Sequence, residues 1–289
     1  MVVGGAEALA QFDEVRPSLF GIAYRMLGSV ADAEDVLQEA WLRWARTDLD
    51  DVRNPAAFLT TVTTRLAITA VTSARARREV YVGPWLPEPV STADDPTLGA
   101  ERAEALDLAV LLLLERLPAR ERAAYVLREA FDYSFRDIAE VLETTEANAR
   151  QLARRARVHL ADERHAPVAP AERSRLLGAF LAAATSGDLA ALEKLLTEDA
   201  VSYSDGGGVV SAARMPVVGR ERVARFIAGM ATKFGTGLQA SIVDANGGQA
   251  VLMTRDGEPV ALIGIDAAAD GVRRSLMVVN PAKLAGLVA

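Results

Sequence analysis

The apolar residues of this chain change their period part-way along it, and that change rules out one architecture throughout. From residue 6 to about 163 they recur every three or four positions, as amphipathic helices require, whereas beyond about 200 they come in short runs bounded by glycine, as strands do. A chain of 289 residues also exceeds one ordinary compact unit. The expectation is a multidomain protein, all-α in its first two blocks and α+β in its third.

In the first block, residues 6–79, Leu19, Ile22, Ala23, Met26 and Leu27 mark one helical face, and Gly28-Ser29 ends it. Asp32 is the expected cap of the next helix, whose apolar stripe is Val36, Leu37, Ala40, Trp41 and Trp44. A polar loop from Thr47 to Pro55 follows, then a long helix opening at Pro55 and ending in Arg75, Arg77 and Arg78. Residues 80–100 read as a linker, with Pro84, Pro87, Pro89 and Pro96 around Trp85. Helices return over 101–165, and a joint from His165 to Pro170 closes that block. The third block, 171–289, opens with helices over Arg173–Thr185 and Leu189–Leu196. Strands follow at Ala200–Tyr203, Ala240–Val243, Ala250–Met253, Val260–Ile265 and Ser275–Val279, with a helix at Arg220–Lys233. One curved antiparallel sheet is the expected arrangement.

Composition narrows the chemistry. The chain has no cysteine and only His159 and His165, which removes disulfides, thiolate metal sites and histidine clusters. No metal and no cofactor are expected. With no signal peptide and no long apolar run, a cytoplasmic protein without membrane partners is the expectation. The net charge of -7 argues against bulk attraction to nucleic acid, yet two stretches are locally basic. Arg65 to Arg78 and Ala147 to Leu160 each carry arginines and no acid.

Between Tyr133 and Leu160 the pattern is that of a helix-turn-helix. Phe135, Ile138, Ala139 and Leu142 share one face; Glu143-Thr144-Thr145 is a polar turn; Ala149, Leu152, Ala153, Ala156 and Leu160 face inward on a second helix. Small alanines let two helices cross closely. The outer face carries Asn148, Arg150, Gln151, Arg154, Arg155 and Arg157, side chains suited to base edges and phosphates in a major groove. A solvated arginine-rich helix is the alternative, with Thr144, Thr145 and Asn148 as mere capping groups.

Taken together the two helical blocks resemble the extracytoplasmic-function sigma factors of bacterial RNA polymerase. The run Leu19-Phe-Gly-Ile-Ala-Tyr-Arg-Met-Leu-Gly28, followed by Asp32-Ala-Glu-Asp-Val-Leu-Gln-Glu-Ala-Trp-Leu-Arg-Trp44, is similar to that family's polymerase-binding hairpin. The resemblance implies that Asp35, Gln38, Glu39 and Trp41 meet the clamp helices of the core enzyme. It implies that the loop Asp48–Asn54, with Asp51 and Asn54, captures a flipped base of the -10 element, and that Arg65, Arg75, Arg77 and Arg78 hold phosphates. The chain has Ile68-Thr69-Ala70-Val71 where family members often carry Leu-Asp-Arg-Leu. Leu117-Pro118-Ala-Arg-Glu-Arg-Ala-Ala-Tyr-Val-Leu-Arg128 and the helix-turn-helix are similar to the family's reader of the -35 element. Thr145, Asn148, Arg150, Gln151, Arg154, Arg155 and Arg157 would then face promoter DNA. The resemblance spans roughly 6–164.

Tyr81-Val-Gly-Pro-Trp-Leu-Pro-Glu-Pro89, Asp205-Gly-Gly-Gly208 and Asn280-Pro-Ala-Lys-Leu284 resemble signatures of a subgroup with a fused C-terminal cone of the SnoaL-like, NTF2-like kind. Val209 and Ala282 stand where Lys and Asp are more usual. The subgroup resemblance implies a tail that regulates the chain in place of a separate anti-sigma factor. Trp85, Leu86, Asp205, Gly206, Gly207, Gly208, Asn280 and Pro281 would carry that contact, and a small ligand of the tail is compatible with it.

The function implied is promoter-specific initiation with RNA polymerase core, with no catalytic residues. Two other readings compete. A one-component regulator with a ligand-sensing tail would leave 6–79 without a role. An enzyme in the tail would draw on Tyr203, Asp205, Arg214 or Asp244, among which spacing fixes no acid and base.

Overall fold

A computed structural model describes residues 3–92, 107–161 and 168–287. The end of the Pro-rich segment with Pro96, the start of the second helical block at Ala100 and the first half of the joint from His165 lie outside the described residues. The chain forms two compact units: 3–79 with 110–161, and 80–92 with 107–109 and 168–287.

The helices up to Ala161 are α1 (Val3–Leu27), α2 (Val30–Trp44), α3 (Pro55–Glu79), α4 (Leu108–Leu114), α5 (Ala119–Tyr125), α6 (Phe135–Val141) and α7 (Glu146–Ala161). A 3-10 turn at Leu49–Asp51 and a π-helical turn at Val126–Ala130 interrupt them. Gly28 ends α1 with a left-handed φ of 64°, which costs glycine nothing. The cap of α2 is Ser29, whose side chain accepts the Asp32 N–H at 3.3 Å, so the expected role of Asp32 moves three residues back. Leu19, Ile22, Met26, Leu27, Leu37 and Trp44 are all buried where α1 and α2 meet. The Trp44 indole nitrogen donates to the Ala8 carbonyl at 2.9 Å, which satisfies its buried polar end. α6 opens on a capping box between Ser134 and Asp137, and the turn after it is made by Glu143 at φ 47°.

In the second unit, α8 (Pro170–Ser186) ends at left-handed Gly187, and α9 (Leu189–Leu195) starts on Asp188, which accepts the Ala191 N–H at 2.9 Å. Six strands follow: β1 (Leu196–Asp205), β2 (Val217–Val218), β3 (Gln239–Ala245), β4 (Gly248–Arg255), β5 (Glu258–Ala268) and β6 (Gly271–Val278). α10 (Arg220–Phe234) stands between β2 and β3, and α11 (Pro281–Leu284) follows β6. The sheet order is β2-β1-β6-β5-β4-β3. It corrects the expectation of an antiparallel sheet: β6 lies parallel to β1, Tyr203 opposite Leu276, because α10 and β3–β5 cross over between them. The β3–β4 and β4–β5 hairpins turn on Asn246-Gly247 and Asp256-Gly257. All four residues have positive φ, as two-residue turns matching strand twist require. Leu177, Phe180, Leu192, Val223 and Ile227 cover one sheet face at Ala200, Val251, Ile265 and Val272.

Residues 80–92 lie along this second unit. Ser91 bridges Ala245 in antiparallel fashion, Thr92 N–H donates to the Asp244 carbonyl at 3.1 Å, and Asn246 N–H donates to the Val90 carbonyl at 2.9 Å. Among the described residues, no helix is long and apolar enough to cross a membrane.

Candidate functional site

The helix-turn-helix is built as the small-residue pattern demands. Ala149, Leu152, Ala153, Ala156 and Leu160 are buried, and the opposite side of α7 is exposed. Gln151 and Arg154 have no polar partner among the described residues. Asn148 donates to Thr144 Oγ1 at 2.7 Å, and Thr145 Oγ1 accepts the Asn148 N–H at 3.2 Å, so Thr145 caps α7. Arg150 pairs with Glu146 one turn back and lies over the Phe135 ring. Farther along, Arg155 meets Glu121 at 3.1 Å and Arg157 meets Glu129 at 2.5 Å. The exposed face therefore divides into an open part at Asn148, Gln151 and Arg154 and a part engaged by carboxylates. The pairs of Arg150 and Arg157 are surface pairs, weak enough to yield to phosphate, whereas the Glu121 that holds Arg155 is buried.

On α2, Asp35 and Gln38 are exposed, Glu39 pairs with Arg43 at 2.9 Å, and Trp41 lies half-buried, edge-on to Phe12 with centroids 5.3 Å apart. Asp51 is exposed in the 3-10 turn, and Asn54 Oδ1 accepts the Ala57 N–H at 3.0 Å to start α3. Beside this loop is a hollow of about 430 Å³ lined by Glu7, Trp41, Thr47, Asp48 and Asp50.

The arginines of α3 are not equivalent. Arg75 is exposed, and Arg77 pairs with Asp32 at 2.6 Å. Arg78 is drawn inward, donating to the Leu27 carbonyl and pairing with Glu115. Burial, then Arg122, lowers its pKa to about 9, still charged at neutral pH. Arg65 donates to the Val141 carbonyl at 2.8 Å and the Glu140 carbonyl at 3.2 Å, and meets Glu143 at 2.9 Å. It thereby supplies a donor to the Val141 carbonyl at the end of α6. Thr60 and Tyr133 hydroxyls, 3.0 Å apart, make a second link between α3 and the helix-turn-helix.

In the second unit three sequence segments converge on one carboxylate. Asp205, fully buried at the end of β1, accepts from Tyr81 Oη at 2.5 Å and Gly207 N–H at 3.1 Å through Oδ1. Through Oδ2 it accepts from Leu86 N–H at 2.8 Å and meets Lys283 Nζ at 2.7 Å. Lys283 also donates to the Leu86 carbonyl and lies 4.2 Å from the Trp85 ring centroid, a cation–π contact. Asn280 Nδ2 donates to Tyr81 Oη at 2.9 Å. Leu86 is fully buried, Gly206 is buried and Pro281 is exposed. Gly207 has φ 60° and lies so close to Asn280 that a Cβ would collide with its amide. Gly208, at φ 75°, faces Val82. Burial, then the Asp205 carboxylate, raises the Tyr81 pKa above its ordinary 10.0 and keeps it a neutral donor.

Two family descriptions match the helical blocks, Sigma-70 region 2 over residues 11–77 and Sigma-70, region 4 over residues 107–160. The ECF RNA polymerase sigma factor SigJ of Mycobacterium tuberculosis is 42% identical over 236 residues, 80% of this chain and 75% of that protein. The chain belongs to the extracytoplasmic-function sigma factors. The probable ECF RNA polymerase sigma factor SigI of the same organism is 34% identical, over 72% of this chain and 71% of its own. The crystal structure of SigJ superposes with a TM-score of 0.78 at 35% identity, covering 96% of this chain and 98% of that one. This sigma factor thus carries two helical sigma domains followed by an α+β domain with a mixed sheet.

Two residues at the heart of the Asp205 site were missed as candidates in this sigma factor. Tyr81 and Lys283 stand within the two motifs read as subgroup signatures, but a lone tyrosine and a lone lysine carry no spacing signal. The one available clue was a lysine in a chain whose basic residues are nearly all arginine. Of the tail residues weighed for catalysis, Asp205 is engaged as described, while Arg214 and Asp244 are exposed.

Proposed function

We propose that this sigma factor brings RNA polymerase core to promoters through two readers, and that its C-terminal domain regulates it by holding the segment 80–92. The open face of α7, with Asn148, Gln151 and Arg154 outward over a packed alanine seam, carries the reading. These side chains, with Arg150, Arg155 and Arg157, meet the -35 element in its major groove, and Thr145 sets the helix start. Asp35, Gln38, Glu39 and Trp41 meet the clamp helices. The loop with Asp51 and Asn54, beside the hollow at Trp41, receives an unstacked base of the -10 element, and Arg75 and Arg77 hold its backbone. Arg77, Arg65 and Arg78 do so only after leaving the partners described above. The working domain division is 6–79, 80–100, 101–165 and 171–289, and the site of action is the cytoplasm, with the polymerase.

The regulatory part rests on Asp205. Segment 80–92 separates the two readers in sequence, so a domain that holds it by Tyr81, Trp85 and Leu86 biases their spacing at high effective concentration. Gly206, Gly207, Gly208, Asn280 and Pro281 shape that contact. No separate anti-sigma factor is then required. The α+β domain acts by binding, through the Asp205 contact and its large apolar cavity.

Run-off transcription with core polymerase tests the proposal, comparing the full chain with chains stopped after residue 165 and after residue 280. Start-site-specific transcripts are expected from the full chain, with output altered once Lys283 is removed. If core polymerase makes no specific transcript with any of the three, promoter recognition fails. Equal output from all three leaves initiation standing and removes regulation by the tail.

A further inference from the structure

Between α8, α10 and the concave face of the sheet lies a cavity of about 540 Å³. That size falls within the roughly 300–1,000 Å³ range of small-molecule sites. Its walls are hydrocarbon, aromatic ring and thioether: Phe180 from α8, Ile227, Met230 and Phe234 from α10, Met253 and Met277 from the sheet. Methionines adapt to varied apolar shapes, since the chain is unbranched and the sulfur polarizable.

One lining side chain is charged. Arg255, at the end of β4, donates through Nη2 to the Phe234 carbonyl at 3.1 Å, which fixes its guanidinium beside the cavity. Its other N–H groups have no partner among the described residues. Among the described residues, none that lines it is acidic. A cation entering here would meet Arg255 without a counter-charge; an anion would meet a pre-placed donor.

We propose that this cavity binds an apolar small molecule bearing a single carboxylate, its hydrocarbon among the methionines and its anion on Arg255. The site stands on the cavity and its charge alone, so its test is independent of promoter recognition.

The probes are decanoate and 1-decanol, below their aggregation concentrations, titrated calorimetrically into the full-length chain. The native chain is expected to bind one decanoate per chain, about tenfold more tightly than decanol, the margin one charge-assisted hydrogen bond supplies. Arg255→Gln, a change at an exposed position, should bring decanoate down to the level of decanol and leave decanol unchanged. Ala231→Phe, which fills the cavity from α10, should remove binding of both. The proposal is overturned if the native chain binds neither probe or does not prefer decanoate. It is equally overturned if Arg255→Gln keeps the preference, or if Ala231→Phe, shown by circular dichroism to be folded, binds as the native chain does.

Discussion

Lys283 and Asp205, 78 residues apart in sequence, meet at 2.7 Å with the carboxylate fully buried and the ammonium nearly so. The carboxylate has four donors around it, which compensates its desolvation. Asp205→Asn would leave the ammonium buried without a counter-charge and turn an amide NH2 toward another donor. A loss of about 3–5 kcal/mol is expected, the range for one partner removed from a buried pair. Urea denaturation of the full chain measures it, and a loss under about 1 kcal/mol would contradict the burial of that pair.

Tyr81 predicts an alkaline limit for the same site. Its pKa is raised in the folded chain, so its contribution to stability is whole below the unfolded value of 10.0 and is lost as pH rises above it. Tyr81→Phe removes that contribution at every pH. The stability difference between native and variant chains should be constant up to about pH 9.5 and shrink from about pH 10 upward. Denaturation curves for the pair across that range decide it; a gap that widens with pH would reverse the assignment.

Arg154→Ala tests the open face of α7. If Arg154 lies on promoter DNA, the variant weakens binding of the polymerase complex, with the loss depending on its contact. A phosphate contact lowers the salt slope by about 1; a base contact costs about 1–3 kcal/mol at one promoter position. Filter binding over a range of salt on native and base-substituted promoters separates these outcomes. Unchanged affinity on every template would take Arg154 out of the interface.

Arg65 and Glu143 allow a paired comparison. Their ion pair is exposed, so Glu143→Gln should change stability by less than about 1 kcal/mol. Arg65→Met also strips the Val141 and Glu140 carbonyls of a donor at the end of α6, and should cost more, about 1–3 kcal/mol. Equal losses in thermal denaturation would mean that the carbonyl contacts contribute nothing.

Much of this was legible in the residues. The alanine seam of α7 announced a close helix crossing because only small side chains permit one, whereas the Asn246-Gly247 turn, where both residues take positive φ, was not singled out. The sheet was harder. Alternation says that a segment is a strand, not which strand lies beside it or in which direction, so the parallel pairing of β1 with β6 escaped notice. Asp32 was the expected cap and Ser29 is the observed one, because both side chains can accept a backbone N–H and only backbone geometry separates them. The three motifs were assigned to one contact by resemblance, but not the bonds that join them: Tyr81 Oη meets partners 124 and 199 residues away, separations that no local period encodes.

The order of the strands sets a timetable. β6 is made after the other five strands, yet it lies inside the sheet with β1 on one side and β5 on the other. Both promoter-reading domains emerge well before it, and domains fold largely in order of synthesis. Until the chain passes Lys283, Leu86 and Asp205 lack the ammonium that joins them. A ribosome-stalled chain ending before Gly271 should expose segment 80–92 to protease, and release of the full-length product should close it.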